Sequence, residues 1–136
     1  MSRLLVLLAA ISIAACSAEQ PPLLVEELVL TRPIPGAGMG AGYFTLRNTS
    51  GEAIRITRVS SPELAAVAMH ESLLEDGIAR MHELPEIVVP PHSSVVFEAG
   101  GKHLMMHYAA ATPEVVTLQF FAGPAMLLSV QARPLD

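Results

Sequence analysis

Thiol chemistry is almost absent from these 136 residues, which contain a single cysteine, Cys16. One thiol cannot close an internal disulfide. Nor can it build the cysteine-rich sites that hold structural zinc or an iron–sulfur cluster. Tryptophan is missing, and the chain has only 4 Phe and 2 Tyr. Charged residues make up 15%, with a formal net charge of −5. Nucleic-acid binding needs a basic face, so this composition argues against that class. No apolar run reaches the ~20 residues of a membrane-spanning helix. Apolar character is nevertheless plentiful at 51%. That is enough for the core of one domain, and the length suits a single one.

The N-terminus reads Met1-Ser2-Arg3, then an apolar stretch from Leu4 to Ala15, then Cys16. One positive charge, a short apolar run and small residues before a cut site form a signal-peptide pattern. The junction Ile13-Ala14-Ala15-Cys16 resembles a bacterial lipobox, which implies that Cys16 is lipidated and becomes the first mature residue. Cleavage near Ala15 or Ala18, leaving a soluble protein, is the other reading. Ser17 follows, not the Asp that would mark retention in the inner membrane. The expected organisation is a lipoprotein-type signal peptide over 1–15, then an anchor or linker with a possible first strand over 16–30. A single domain follows over 31–136. The expected location is periplasmic, tethered to a membrane through Cys16.

The mature sequence reads as short strands separated by turn residues: Leu23–Leu30, Tyr43–Arg47, Ile54–Val59, Ala65–Leu73, Ile78–His82, Val95–Glu98, His103–Tyr108, Val115–Phe121 and Met126–Gln131. Many short strands at this spacing predict an all-β sandwich or barrel. The Gly/Ala-rich stretch Gly36–Gly42 reads as a loop, and Pro62–Met69 could begin as a helical turn.

With cysteine excluded, a metal site must draw on histidine, methionine or carboxylate. The chain has 7 Met and 5 His. Met1 starts translation, and Met126, beside Leu127 and Leu128, reads as core. Most of the rest gather at Met69-His70, Met81-His82 and His103 to His107. Asp76-Gly77 is a two-residue hairpin signal. It predicts that Glu75 faces Ile78, Leu73 faces Arg80, Ser72 faces Met81 and His70 faces Glu83. His70 and Met81 then share one face as diagonal neighbours, with Cα atoms roughly 7–8 Å apart. His103 and Met105, at i and i+2, also share a face, ~6.5–7 Å apart. Two such pairs brought together make a set of two nitrogens and two sulfurs. Thioether sulfur is soft and selects Cu(I) over hard cations, whereas zinc seldom uses it. No nucleophile–base pair and no open metal position is visible, which points away from an enzyme. The residues alone also fit a β-sandwich whose Met and His are incidental.

The spacing His70, ten residues, Met81, twenty-one residues, His103, one residue, Met105 resembles the H-x10-M-x21-H-x-M motif of the PCuAC (periplasmic copper chaperone) family. Gly40-Ala41-Gly42-Tyr43-Phe44-Thr45-Leu46-Arg47-Asn48 looks like that family's early strand, and Gly100-Gly101-Lys102-His103-Leu104-Met105 carries the last pair. The resemblance covers roughly Thr31 to Gln131. It implies a cupredoxin-like Greek-key β-sandwich. It also implies an extracytoplasmic Cu(I) metallochaperone with His70, Met81, His103 and Met105 as ligands. The expected partners are a Sco-type protein or cytochrome c oxidase subunit II, in assembly of the CuA site. A copper-buffering or resistance protein with the same site is the alternative. This sequence departs from the family at His107, which stands where a second Met often stands and shares a face with His103 and Met105. It is either an auxiliary ligand or a partly exposed neighbour. Met69 and Met106 are expected to pack inward, and His82 and His92 to be solvated.

Overall fold

The computed structural model describes residues 21–136. The expected leader and Cys16 lie outside them. Eleven strands are formed among the described residues: β1 (Leu23–Leu30), β2 (Met39–Asn48), β3 (Ile54–Ile56), β4 (Arg58–Ser60), β5 (Ala66–Glu75), β6 (Ile78–Glu83), β7 (Ile87–Val89), β8 (Ser94–Phe97), β9 (Lys102–His107), β10 (Val116–Ala122) and β11 (Ala125–Ala132). The main sheet runs β1-β2-β9-β5-β6, and β8 also pairs with β2. A second sheet runs β11-β10-β4, and β3 pairs with β7.

Alternation along each strand decides which side is core. In β2, Gly42, Phe44, Leu46 and Asn48 are buried, while the residues between them face outward. In β9, Leu104 and Met106 are fully buried, and Met69 of β5 joins them as expected. The second sheet supplies Val116, Leu118 and Phe120. The layers meet where Phe44 stacks on Phe97 at 4.4 Å and takes the edge of Phe120 at 5.6 Å. Such ring pairs contribute about 0.5–1.5 kcal/mol each beyond their burial.

Several strands differ from the sequence reading. The expected strand Ile54–Val59 is two. Thr57 N–H donates to Phe121 O at 2.8 Å. Around it, β3 pairs with β7 and β4 pairs with β10. The turn at Pro62 leads directly into β5 with no helix. Strand β7 was not anticipated, because three residues between Pro85 and Pro90 carry too short a pattern. Half of Gly36–Gly42 is strand, since β2 begins at Met39. The glycines serve close packing: a Cβ on Gly42 would lie 3.2 Å from Leu104 and Leu30. Met126 is no core residue but 54% exposed. The β10–β11 register slips between Phe120 and Phe121, so Phe121 faces Met126 while Phe120 faces Leu128. That bulge beside the Gly123-Pro124 turn sends Met126 outward.

The first half of β2 pairs with β9 and its second half with β8. Residues 98–101 are pinched out between them. Glu98 N–H donates to Lys102 O at 2.7 Å, and Gly101 N–H to Glu98 O at 3.0 Å. This small loop delivers the chain into β9 at His103.

Candidate metal centre

The face of the main sheet turned away from the core carries the sequence-predicted residues. With Leu104 and Met106 inward, β9 must present His103, Met105 and His107 outward. β5 aligns antiparallel to it, with His70 opposite His103, Ala68 opposite Met105 and Ala66 opposite His107. β6 follows through the hairpin in the register read from Asp76-Gly77, with Ser72 opposite Met81 and His70 opposite Glu83. Asp76 and Gly77 take φ of 51° and 77°. A two-residue turn with both central φ positive matches the twist of the strands it joins. His70, Met81, His103 and Met105 therefore lie on one face, from three adjacent strands. The turn chemistry and the period-2 alternation produce this, not any local motif around each residue.

His103 is oriented by the small loop before it. Its Nδ1 lies 3.0 Å from Gly101 O. A carbonyl can only accept, so Nδ1 carries the proton and Nε2 keeps its lone pair for a ligand. The same carbonyl accepts the Ser72 N–H at 3.0 Å, which ties the loop to β5. His103 is only 7% exposed despite its outward placement. The His70 and His103 rings are 5.9 Å apart between centroids, tilted by 41°. His70 Nδ1 is buried without a hydrogen-bond partner. An unpaired buried polar atom costs about 1–3 kcal/mol, which a cation on this imidazole would offset. Burial is the main cause lowering the His70 pKa. His103 and His107 add to it, and Glu83 opposes it. The shift favours the neutral ring, the form in which imidazole binds a metal.

A depression of about 520 Å³ opens on this face. Met81, His103, Met105, Met39, Tyr43 and Ile34 are among its walls. Met81 is 50% exposed, at the opposite extreme from His103. Alanines stand beside Met105 on both neighbouring strands, Ala41 on β2 and Ala68 on β5. These small neighbours leave its thioether room to move. Among the described residues no group of three or more His, Cys, Asp or Glu is placed to hold a metal. The donors that share the outward face are imidazole and thioether. Those fit a soft monovalent cation.

The remaining predicted residues separate cleanly. Met106 and Met69 are buried in the core. His82 is exposed and its Nε2 lies 3.0 Å from Glu75. His92 is exposed in the turn before β8, with φ of 50°. Met39, within the Gly36–Gly42 stretch read as a loop, lines the depression and stands opposite His107. The signal was there in the alternation Met39-Gly40-Ala41-Gly42-Tyr43, but the glycines masked it as a loop.

A family model described as "Putative lipoprotein LpqE-like" matches residues 14–121. The protein RP573 of Rickettsia prowazekii (strain Madrid E), described as uncharacterised, is 25% identical over 68 residues, 49% of this chain. The match covers 38% of that relative, so this chain spans well under half of its length. Among solved structures, the copper-bound PCuAC domain from PmoF2 is similar with a TM-score of 0.65 and 19% identity. That match covers 83% of this chain and 92% of that one. The solution structure of apo-DR1885 from Deinococcus radiodurans is similar with a TM-score of 0.58 and 20% identity. It covers 98% of this chain and 95% of its own. At such identities the likeness is one of fold, a cupredoxin-like β-sandwich.

Proposed function

We propose that this chain, which belongs to the LpqE-like family, is an extracytoplasmic lipoprotein that binds one Cu(I) through His70, Met81, His103 and Met105 and hands it on. One observation carries the reading: two imidazoles facing each other across β5 and β9, with two thioethers on the same face of the sheet. The orphaned His70 Nδ1 and the proton fixed on His103 Nδ1 both suit metal ligation. A structure of the same fold is described as copper-bound, which supports copper as the cargo. The lipoprotein reading draws on the family description, whose match begins at residue 14, just before Cys16.

Four protein donors leave no open position for a substrate, so the chemistry is holding and releasing an ion. His103 and its carbonyl partner form the fixed side of the site. Met81, on an edge strand exposed along its whole length, forms the side that an acceptor's soft ligand can displace. Delivery to the CuA site of cytochrome c oxidase, directly to subunit II or through a Sco-type protein, is the destination proposed.

Cu(I) competition titration of the mature domain tests the site. The wild type should bind one ion tightly, and Met81→Ala and His103→Ala more weakly. Equal stoichiometry and affinity in all three would overturn the assignment. Mixing the loaded domain with an apo CuA domain tests delivery. Transfer to the CuA domain is expected, and retention of copper by the donor would leave only buffering.

A further inference from the structure

The outward face of β9 carries a third donor that the four-ligand set does not use. His107 lies beyond Met105 at the same i, i+2 spacing that separates Met105 from His103. Directly across the ladder on β2 stands Met39. Tyr108 N–H donates to Gly38 O at 2.8 Å. That bond makes Tyr108 and Gly38 a hydrogen-bonded pair, so Met39 and His107, one step along, are a closely spaced pair. Cα atoms in such pairs are about 4.5 Å apart and their side chains converge. On the other side of His107 stands Ala66, which is too small to contact a ring-bound ion. Met39 and His107 are both partly exposed, as a site that exchanges its ion requires.

We propose that Met39 and His107 form a second soft-cation station next to the main one, with Met105 as a thioether shared between them. Met105 sits midway along β9 between the two histidines. Its cross-strand neighbours on both sides are alanines. Methionine has three rotatable side-chain bonds and adapts readily to either side. The two stations are therefore His70, Met81 and His103 on one side and Met39 and His107 on the other, with one movable sulfur between them. An ion landing at Met39 and His107 can pass to the four-donor site by ligand exchange at Met105, with no change of oxidation state and no proton transfer. Two fixed donors plus a shared one hold an ion less tightly than four, so the second station fills after the first. The proposal rests on the copper reading only through Met105.

Titration with Ag(I), a redox-inert stand-in for Cu(I), followed by NMR of the histidine side chains and methionine methyls, tests it. In the wild type the first equivalent should move His70, His103 and the Met81 methyl. The second should move His107 and the Met39 methyl, with the Met105 methyl responding to both. Met39→Leu and His107→Ala should each reduce the stoichiometry from two ions to one while leaving the first-equivalent shifts at His70 and His103 in place. Leucine keeps the bulk of Met39, and both positions are partly exposed, so the variants should fold. Saturation at one ion with His107 and Met39 unmoved would overturn the second station, as would an unchanged stoichiometry in both variants. Failure of the main site shows differently: His70 and His103 would stay unmoved at every ratio, whatever happens at Met39.

Discussion

At the scale of single residues, the fold depends on positions that look unremarkable in the sequence. Gly40 is one. A Cβ there would lie 2.4 Å from Thr31 O and 3.0 Å from the Tyr108 ring. Thr31 cannot easily retreat. Its N–H donates to Ala41 O at 2.9 Å, its hydroxyl accepts the Ala41 N–H at 2.8 Å, and its carbonyl accepts the Tyr108 hydroxyl at 3.0 Å. Where the site is compatible, replacing Gly with Ala usually stabilises by ~0.4–1 kcal/mol. Here the overpacking should win, so Gly40→Ala is expected to destabilise the fold by about 1–3 kcal/mol in chemical denaturation. Unchanged or higher stability would mean that the Thr31 segment yields freely. Asn48 is a second such residue. It is fully buried, and its amide group donates to Glu52 O, Val89 O and Pro90 O at 2.6–3.1 Å, while its Oδ1 accepts from Ser50. Asn48→Asp aims a carboxylate oxygen at three carbonyls. The loss should be on the order of 3 kcal/mol or more, at the severe end for a single substitution. In the sequence Asn48 stands only as the polar residue that follows the strand Tyr43–Arg47. Polar turn residues look alike until the carbonyls they face are known.

At the scale of elements, the β5–β6 hairpin was legible to the residue. Asp76-Gly77 admits one short turn, and that turn dictates every cross-strand pair to His70. The register places Met81 on the face with His70, and this makes a sharp test. Inserting one alanine between Arg80 and Met81 leaves the two-residue turn in place and shifts the rest of β6 by one residue against β5. A one-residue shift sends each side chain to the opposite face. Because β6 is exposed throughout, the fold should survive with little change in thermal midpoint. Met81 would leave the depression, and the Cu(I) affinity should fall to that of Met81→Ala in the competition titration. Wild-type affinity in the insertion variant would show that Met81 is not a ligand. The elements that escaped the sequence are those whose ends are set by distant strands. Thr57 breaks an otherwise continuous pattern only because Phe121 O takes its N–H. β7 exists only because β3 pairs with it.

At the scale of the whole molecule, the sandwich was legible because turn residues punctuate the chain at regular intervals. That His70, Met81, His103 and Met105 share one outward face was legible because alternation and one hairpin fix which side chains lie together. An ion held by β5, β6 and β9 binds the folded sheet and not the unfolded chain. Free ligand at 100 times its Kd should then add about 2.7 kcal/mol of stability, a rise on the order of 10 °C in the thermal midpoint. Ag(I) should give this rise in the wild type and a much smaller one in His103→Ala. Equal shifts in both would place the ion elsewhere. The two sheets are joined by a different device, which responds to pH. Glu63 lies in the crossing from β4 to β5 and grips β10. Its carboxylate accepts the Thr117 N–H and hydroxyl, both at 2.9 Å, and the Ser61 hydroxyl at 2.8 Å. Burial acts to raise its pKa, but the bonds from Thr117 and Ser61 outweigh it and hold the value below 4.5. A carboxylate with a depressed folded pKa stabilises fully above the unfolded value and loses that contribution as pH falls through the folded one. The wild-type thermal midpoint should therefore hold steady down to about 4.5 and drop below it. Glu63→Gln should start lower at neutral pH, with one neutral acceptor in place of the carboxylate, and fall less steeply in acid. Parallel pH profiles for the two proteins would show that the crossing is held by packing, with the Glu63 charge contributing nothing.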